Sequence, residues 1–149
     1  MKEITIDYAL RATWQSVARM YNEEAKKFDS TMAVGFTLLS VDPKTGTPST
    51  ALGPKMGMEA TSLSRILKRM EQLGLIERRP NPKDGRGVLI YLTEFGLEKR
   101  KDSKDVVLKF NETVRSKVAP EKLDGFFEVM DTINQLVSEK NIYSKNIIK

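Results

Sequence analysis

Gly57-Met58-Glu59-Ala60-Thr61-Ser62-Leu63-Ser64-Arg65-Ile66-Leu67-Lys68-Arg69-Met70-Glu71-Gln72-Leu73-Gly74 is the stretch on which the fold turns. Leu63, Ile66, Leu67, Met70 and Leu73 recur every three or four residues, so the spacing predicts an amphipathic helix over 59–73 that closes at Gly74. Gly57 supplies the left-handed residue that a sharp turn needs. The segment before it reads as a short helix capped by Thr47 or Ser49 and ending near Met56. Two helices joined in this way are a helix-turn-helix. The outer face of the second carries Thr61, Ser62, Ser64, Arg65, Lys68 and Arg69. Short polar side chains near its start can approach base edges in a major groove, and the longer cations farther along can reach flanking phosphates.

The residues that follow extend this reading. Leu75–Arg79 and Gly87–Leu92 are candidate strands, and Pro80-Asn81-Pro82-Lys83-Asp84-Gly85-Arg86 between them is rich in turn formers. A two-stranded ribbon directly behind a helix-turn-helix is a wing. Its tip carries Lys83 and Arg86, and an arginine on a narrow ribbon suits a minor groove, where the negative potential is strongest. Asp84 is expected to support the wing, by pairing with Arg86 or by accepting from the ribbon backbone.

Working outward, Leu10, Trp14, Val17, Met20, Tyr21 and Phe28 mark one helix over 6–28. Asp29-Ser30-Thr31 supplies a stop and a cap for a buried helix over 32–42, and Asp42–Pro48 reads as an exposed loop. Gly53 and Pro54 are costly inside a helix, so the first helix of the motif is expected to be short, with Pro54 in its first turn. Past the wing, Thr93 caps a charged helix reaching about Val118. Pro120 opens a last helix to about Lys140 with Leu123, Phe126, Phe127, Met130, Ile133 and Val137 on one face. The tail from Ile142 to Ile148 is apolar for a chain end and is expected to meet another subunit.

Composition narrows the function. At 149 residues, 40% apolar and 30% charged, the chain fits one globular domain. It has no cysteine and no histidine, which removes disulfides, thiolate nucleophiles, Cys/His zinc sites and imidazole catalysis together. No paired acids in an apolar setting and no glycine-rich phosphate loop stand in their place, so no enzyme activity and no cofactor are expected. No run approaches a membrane span, and Met1-Lys2-Glu3-Ile4-Thr5 lacks the character of a signal peptide, so the expected location is the cytoplasm. Pro48–Thr93 holds eight basic and four acidic residues, a net +4 of the chain's +5. Such clustering is the footprint of a phosphate-binding surface, although a solvated basic face has the same composition.

Gly57 to Arg65, Met70-Glu71-Gln72-Leu73-Gly74-Leu75-Ile76-Glu77-Arg78, and Asp84-Gly85-Arg86 running on to Leu92-Thr93-Glu94-Phe95-Gly96 together resemble the MarR family of bacterial transcriptional regulators. The resemblance covers essentially the whole chain in element order. It implies a mainly α fold with a small β-wing, in which a winged helix-turn-helix lobe over 32–96 is flanked by dimerisation helices over 4–28 and 97–149. It also implies a homodimer straddling a palindromic operator in double-stranded DNA, with Arg86 in the minor groove and Thr61, Ser62, Ser64 and Arg65 facing the major groove. Family members are commonly repressors released by small aromatic ligands bound between the dimerisation helices and the lobe. Trp14, Tyr21 and Phe36 are the candidate lining here, and core or dimer packing is their competing role. The absence of cysteine and histidine departs from the family's thiol-based peroxide sensors and histidine-using zinc sensors. The competing function is a winged-helix assembly module whose basic surface meets an acidic protein. Preference for dyad-symmetric DNA separates the two.

Overall fold

The computed structural model describes residues 3–144. Its elements run α1 (Ile6–Lys26), α2 (Met32–Ser40), β1 (Thr47–Pro48), α3 (Ser49–Met56), α4 (Ala60–Gln72), β2 (Ile76–Asn81), β3 (Asp84–Leu92), α5 (Glu94–Lys117) and α6 (Pro120–Glu139). The fold class is the expected one, mostly helical with a small antiparallel sheet. No helix among the described residues is long and apolar enough to cross a membrane. The chain divides into two compact units, with the boundary within α5 at Val107 and Leu108.

The first unit holds the core. Val34, Leu38 and Val41, Leu52, Leu63, Leu67 and Met70, and Leu75, Ile76 and Ile90 form one buried cluster, with Met56 and Met58 packed against it as core filling. Leu52, Met70 and Ile90 are wholly inaccessible. The expected helix periodicities therefore converge on one centre, with α4 presenting Leu63, Leu67 and Met70 inward. Local chemistry sets the joints. Thr31 caps α2 by accepting from the Val34 amide at 3.2 Å. Gly57 closes α3 in the left-handed region at φ 64°.

Four local expectations need correction. Thr47 caps no helix. It pairs with Ile90 as part of a third strand in the order β1-β3-β2, and its hydroxyl accepts from the Asp42 amide at 2.8 Å. Two residues are too few to show the alternation by which strands are read. Pro54 falls in the second turn of α3, because β1 pairing fixes where that helix begins. The missing amide is tolerable there because α3 ends two residues later, closed by Met58 N donating to the Gly53 carbonyl at 2.9 Å. The wing strands extend to Asn81 and from Asp84, so most of the expected turn belongs to the strands, and an irregularity between Pro80 and Asn81 absorbs the register. Leu73, expected on the buried stripe, is the C-cap of α4 and stays partly exposed.

A motif from the sequence acquires a physical reason. Thr93 donates its amide to the Leu75 carbonyl at 3.1 Å and its hydroxyl to the Gly74 carbonyl at 2.5 Å, while that hydroxyl accepts from the Gly96 amide at 3.0 Å. A Cβ on Gly96 would lie 2.0 Å from the Leu75 carbonyl oxygen. Thr93 and Gly96 thus rivet the start of α5 to the turn that ends α4.

In the second unit, α6 buries none of its residues. Phe126 and Phe127 meet edge to face at 5.3 Å, and the Arg115 guanidinium lies 5.8 Å from the Phe127 ring centre. Ile142 and Tyr143 of the tail are exposed, and the expected subunit contact over 145–148 lies outside the described residues.

Candidate nucleic-acid interface

α4 is built so that its apolar stripe anchors it and its polar face stays free. With Leu63, Leu67 and Met70 inward, Thr61, Ser62, Ser64, Arg65, Lys68 and Arg69 are all exposed. The structure therefore brings the six expected residues onto one outward surface of a single helix. Lys83 and Arg86 are exposed at the tip of the β2–β3 ribbon. There, Asn81 Oδ1 accepts from the Lys83 amide at 3.0 Å, and Asp84 Oδ1 accepts from the Arg86 amide at 3.1 Å. Of the two roles expected of Asp84, the structure shows the backbone one. An added Cβ at Gly87 would come 3.1 Å from Asp84 Oδ2 and 3.3 Å from Asn81 Cβ, so a small residue there lets the tip fold tightly.

The acids of this basic segment sort the cations. Glu71 pairs with Arg78 at 3.4 Å, Glu77 pairs with Arg79, and the Arg79 guanidinium also lies over the Tyr91 ring at 4.1 Å. Lys55 donates to the Ser40 carbonyl at 2.8 Å, joining α3 to the end of α2. Arg78, Arg79 and Lys55 are thus occupied within the fold. Among the described residues, Arg65, Lys68, Arg69, Lys83 and Arg86 make no ion pair. Composition alone could not draw this division, because each pairing depends on which strand or helix faces which. Exposed pairs of this kind add little stability; their effect is to leave five cations available on α4 and the wing.

The aromatic residues also come together. Trp14 stacks on Phe36 at 6.4 Å, and Tyr21 meets Phe36 edge-on at 5.6 Å. Burial pushes the Tyr21 phenol above its usual pKa. Tyr21 and Phe36 border a cavity of about 50 Å³, and Trp14, half exposed, is not part of its lining. An apolar cavity of roughly 150 Å³ is what takes a benzene ring, so this space is small for an aromatic guest. A larger cleft of about 510 Å³ lies within the same unit. Phe28 and Asp29 from the α1–α2 turn, Arg65 and Arg69 from α4, Leu73, and Phe95 and Lys99 from α5 are among its walls. Sequence reasoning did not find it, since its walls come from segments up to seventy residues apart and no local pattern joins them.

The MarR family model matches residues 31–88, the span from α2 into the second wing strand. The chain is 28% identical over 137 residues to the organic hydroperoxide resistance transcriptional regulator of Bacillus subtilis (strain 168), covering 90% of each protein. Among solved structures it superposes on the DNA complex of MepR from S. aureus with a TM-score of 0.79 at 19% identity, covering 92% of this chain and 99% of that one. It also superposes on PcaV from Streptomyces coelicolor bound to its natural ligand, with a TM-score of 0.75 at 18% identity over 91% and 98% of the two chains. These structural likenesses carry the fold, winged lobe and flanking helices together. The family model thus lies on the lobe that holds α4 and the wing, and the curated likeness spans nine tenths of the sequence.

Proposed function

We propose that this protein is a transcriptional repressor that binds a palindromic operator in double-stranded DNA as a homodimer in the cytoplasm. The observation that carries the reading is the set of five exposed cations that make no ion pair among the described residues, Arg65, Lys68 and Arg69 on α4 and Lys83 and Arg86 on the wing. Thr61, Ser62 and Ser64 stand beside them on the outer face of α4. In this reading α4 lies in a major groove, with Thr61, Ser62, Ser64 and Arg65 toward the bases and Lys68 and Arg69 toward phosphates. Arg86 enters the adjacent minor groove, held at the right height by the Asp84 turn. The segment 32–96 is the DNA-binding lobe, and 4–28 and 97–149 supply the dimer contacts. Large apolar side chains left uncovered support the second assignment: Ile4, Ile6 and Tyr8 at the start of the chain, and Phe126, Phe127, Val129 and Val137 on α6. A small aromatic effector releases the DNA, a role supported by the large cleft beside α4.

The test is a titration of the protein into labelled DNA from its own upstream region and into a scrambled control, at several salt concentrations. Strong preference for the native DNA with a steep salt slope is expected. Equal, weak binding to both DNAs would sink this reading and leave a winged-helix assembly module with an acidic protein partner.

A further inference from the structure

Val34, Leu38 and Val41 of α2 share one core with Leu63, Leu67 and Met70 of α4, so the two helices are packed as one body. Where α4 stands relative to α1 therefore depends on how α1 grips α2. Part of that grip is apolar, with Phe36 packed against Trp14 and Tyr21. Apolar burial is non-directional and does not by itself fix how far α2 slides along α1. Asn22 adds a directional bond. It lies inside α1, about a turn before the helix ends at Lys26, where asparagine is a poor choice because its amide competes with the helix backbone. Its Oδ1 accepts from the amide of Met32, the first residue of α2, at 3.0 Å. Its Nδ2 donates to the Ala18 carbonyl at 3.1 Å, which keeps the oxygen turned toward α2. The start of a helix leaves amides without intrahelical partners; Thr31 takes that of Val34 and Asn22 takes that of Met32. Thr31 belongs to the turn, whereas Asn22 belongs to α1, so its half-buried bond joins two helices.

We propose that Asn22 is a positioning residue: through Met32 it sets where α2 and the lobe stand on α1, and so fixes the separation of the two α4 helices in the homodimer and the half-site spacing the dimer accepts. This inference rests on the homodimer and DNA-binding reading. Half-sites one helical turn apart are about 34–36 Å from centre to centre, so one inserted base pair moves a half-site by roughly 3.4 Å and turns it by roughly 35°. A firmly held lobe does not follow that shift and loses affinity. A loosely held lobe follows it, but must be ordered on the correct site and binds that site more weakly.

The chain has no cysteine, so Gln72→Cys at the exposed end of α4 takes one nitroxide per subunit. Pulsed dipolar EPR without DNA then reads the separation of the α4 helices in the dimer. One narrow distance is expected with Asn22 in place, a distribution about twice as wide or more with Asn22→Ala, and a narrow one again with Asn22→Asp, which keeps an acceptor for the Met32 amide. The second arm uses upstream DNA with one base pair inserted at its dyad. Wild type and Asn22→Asp are expected to lose about tenfold or more in affinity on that insertion, and Asn22→Ala less than about threefold. An unchanged distance distribution in Asn22→Ala, with a lowered denaturation midpoint as the sole effect, is the signature of a merely structural residue and overturns the proposal. Widening with the spacing preference intact overturns the link to half-site spacing and leaves the positioning of the lobe. Absence of a dipolar signal in the labelled wild type marks a monomer and overturns the homodimer reading and this inference together. If native and scrambled DNA bind alike, the DNA reading fails on its own, and the dipolar arm still decides whether Asn22 positions α4.

Discussion

The lobe that carries α4 and the wing encloses its own core, whereas α6 buries nothing. In the lobe, ten apolar residues from α2 through β3 pack against one another. On α6, Phe126, Phe127, Val129, Leu136 and Val137 are all between about two-fifths and three-fifths exposed. Both regions show helical apolar periodicity in sequence, so periodicity alone does not say whether the partner surface lies in the same chain. The difference teaches that the lobe holds a core of its own, while the apolar face of α6 stays uncovered, the face that the proposed reading gives to a second subunit. On that account, core substitutions destabilise the lobe, and α6 substitutions change assembly.

The largest effect is expected in the lobe core. Leu52→Ala removes a side chain with no exposed surface and should cost about 2–5 kcal/mol of unfolding free energy in denaturant titration. A loss below 1 kcal/mol would mean that the core is looser than its burial shows. Next comes the opposite region. Phe126→Glu combined with Val137→Glu should weaken self-association by at least ~2 kcal/mol, read as a shift from dimer to monomer in sedimentation equilibrium. An unchanged dimer would place the subunit contact elsewhere.

Within the lobe, surface substitutions separate reading from folding. Arg86→Ala should lose about 1–3 kcal/mol of affinity for native DNA with no change in the denaturation midpoint. Lys68→Ala should weaken native and scrambled DNA alike and lower the salt slope by about 1. A selective loss on native DNA would instead give Lys68 a base contact. Asp84→Ala should cost less than Arg86→Ala, because it removes only the acceptor that orients the Arg86 amide.

The smallest expected effect concerns pH. Asp42 accepts from the Thr45 and Lys44 amides, at 3.0 and 2.8 Å, and these bonds hold its carboxyl below the ordinary value of 3.8. A folded-state pKa lowered in this way contributes stability at pH values above the unfolded pKa, and that contribution is lost as pH falls through the lowered folded value. Asp42→Asn should therefore shift the midpoint slightly at neutral pH and not at all in strong acid. A shift of equal size at both ends would mean that the side chain acts through packing.

Much of this architecture was legible because its signals are local. The stripe Leu63, Leu67, Met70 and the stop at Gly74 follow from the geometry of one helix, and the wing follows from turn formers between two apolar runs. Asp84 reads as wing support because a carboxylate two residues before an exposed arginine has few local options, and the choice between them depends on backbone geometry. Leu-Thr-x-x-Gly was visible as a pattern, but its reason was not. That reason is the Leu75 carbonyl at Gly96, a contact between the end of one element and the start of another.

What the sequence by itself determined is the order and kind of elements, the inward stripe of α4, the exposed cationic face and the absence of thiol and imidazole chemistry, all fixed by residue type and short-range spacing. Only the tertiary structure decided which cations are occupied by Glu71, Glu77 and the Ser40 carbonyl, that Thr47 and Pro48 join the sheet, and that a cleft opens between the α1–α2 turn, α4 and the start of α5. Each of these depends on groups distant in sequence meeting in space, and no periodicity in a single chain segment encodes that meeting.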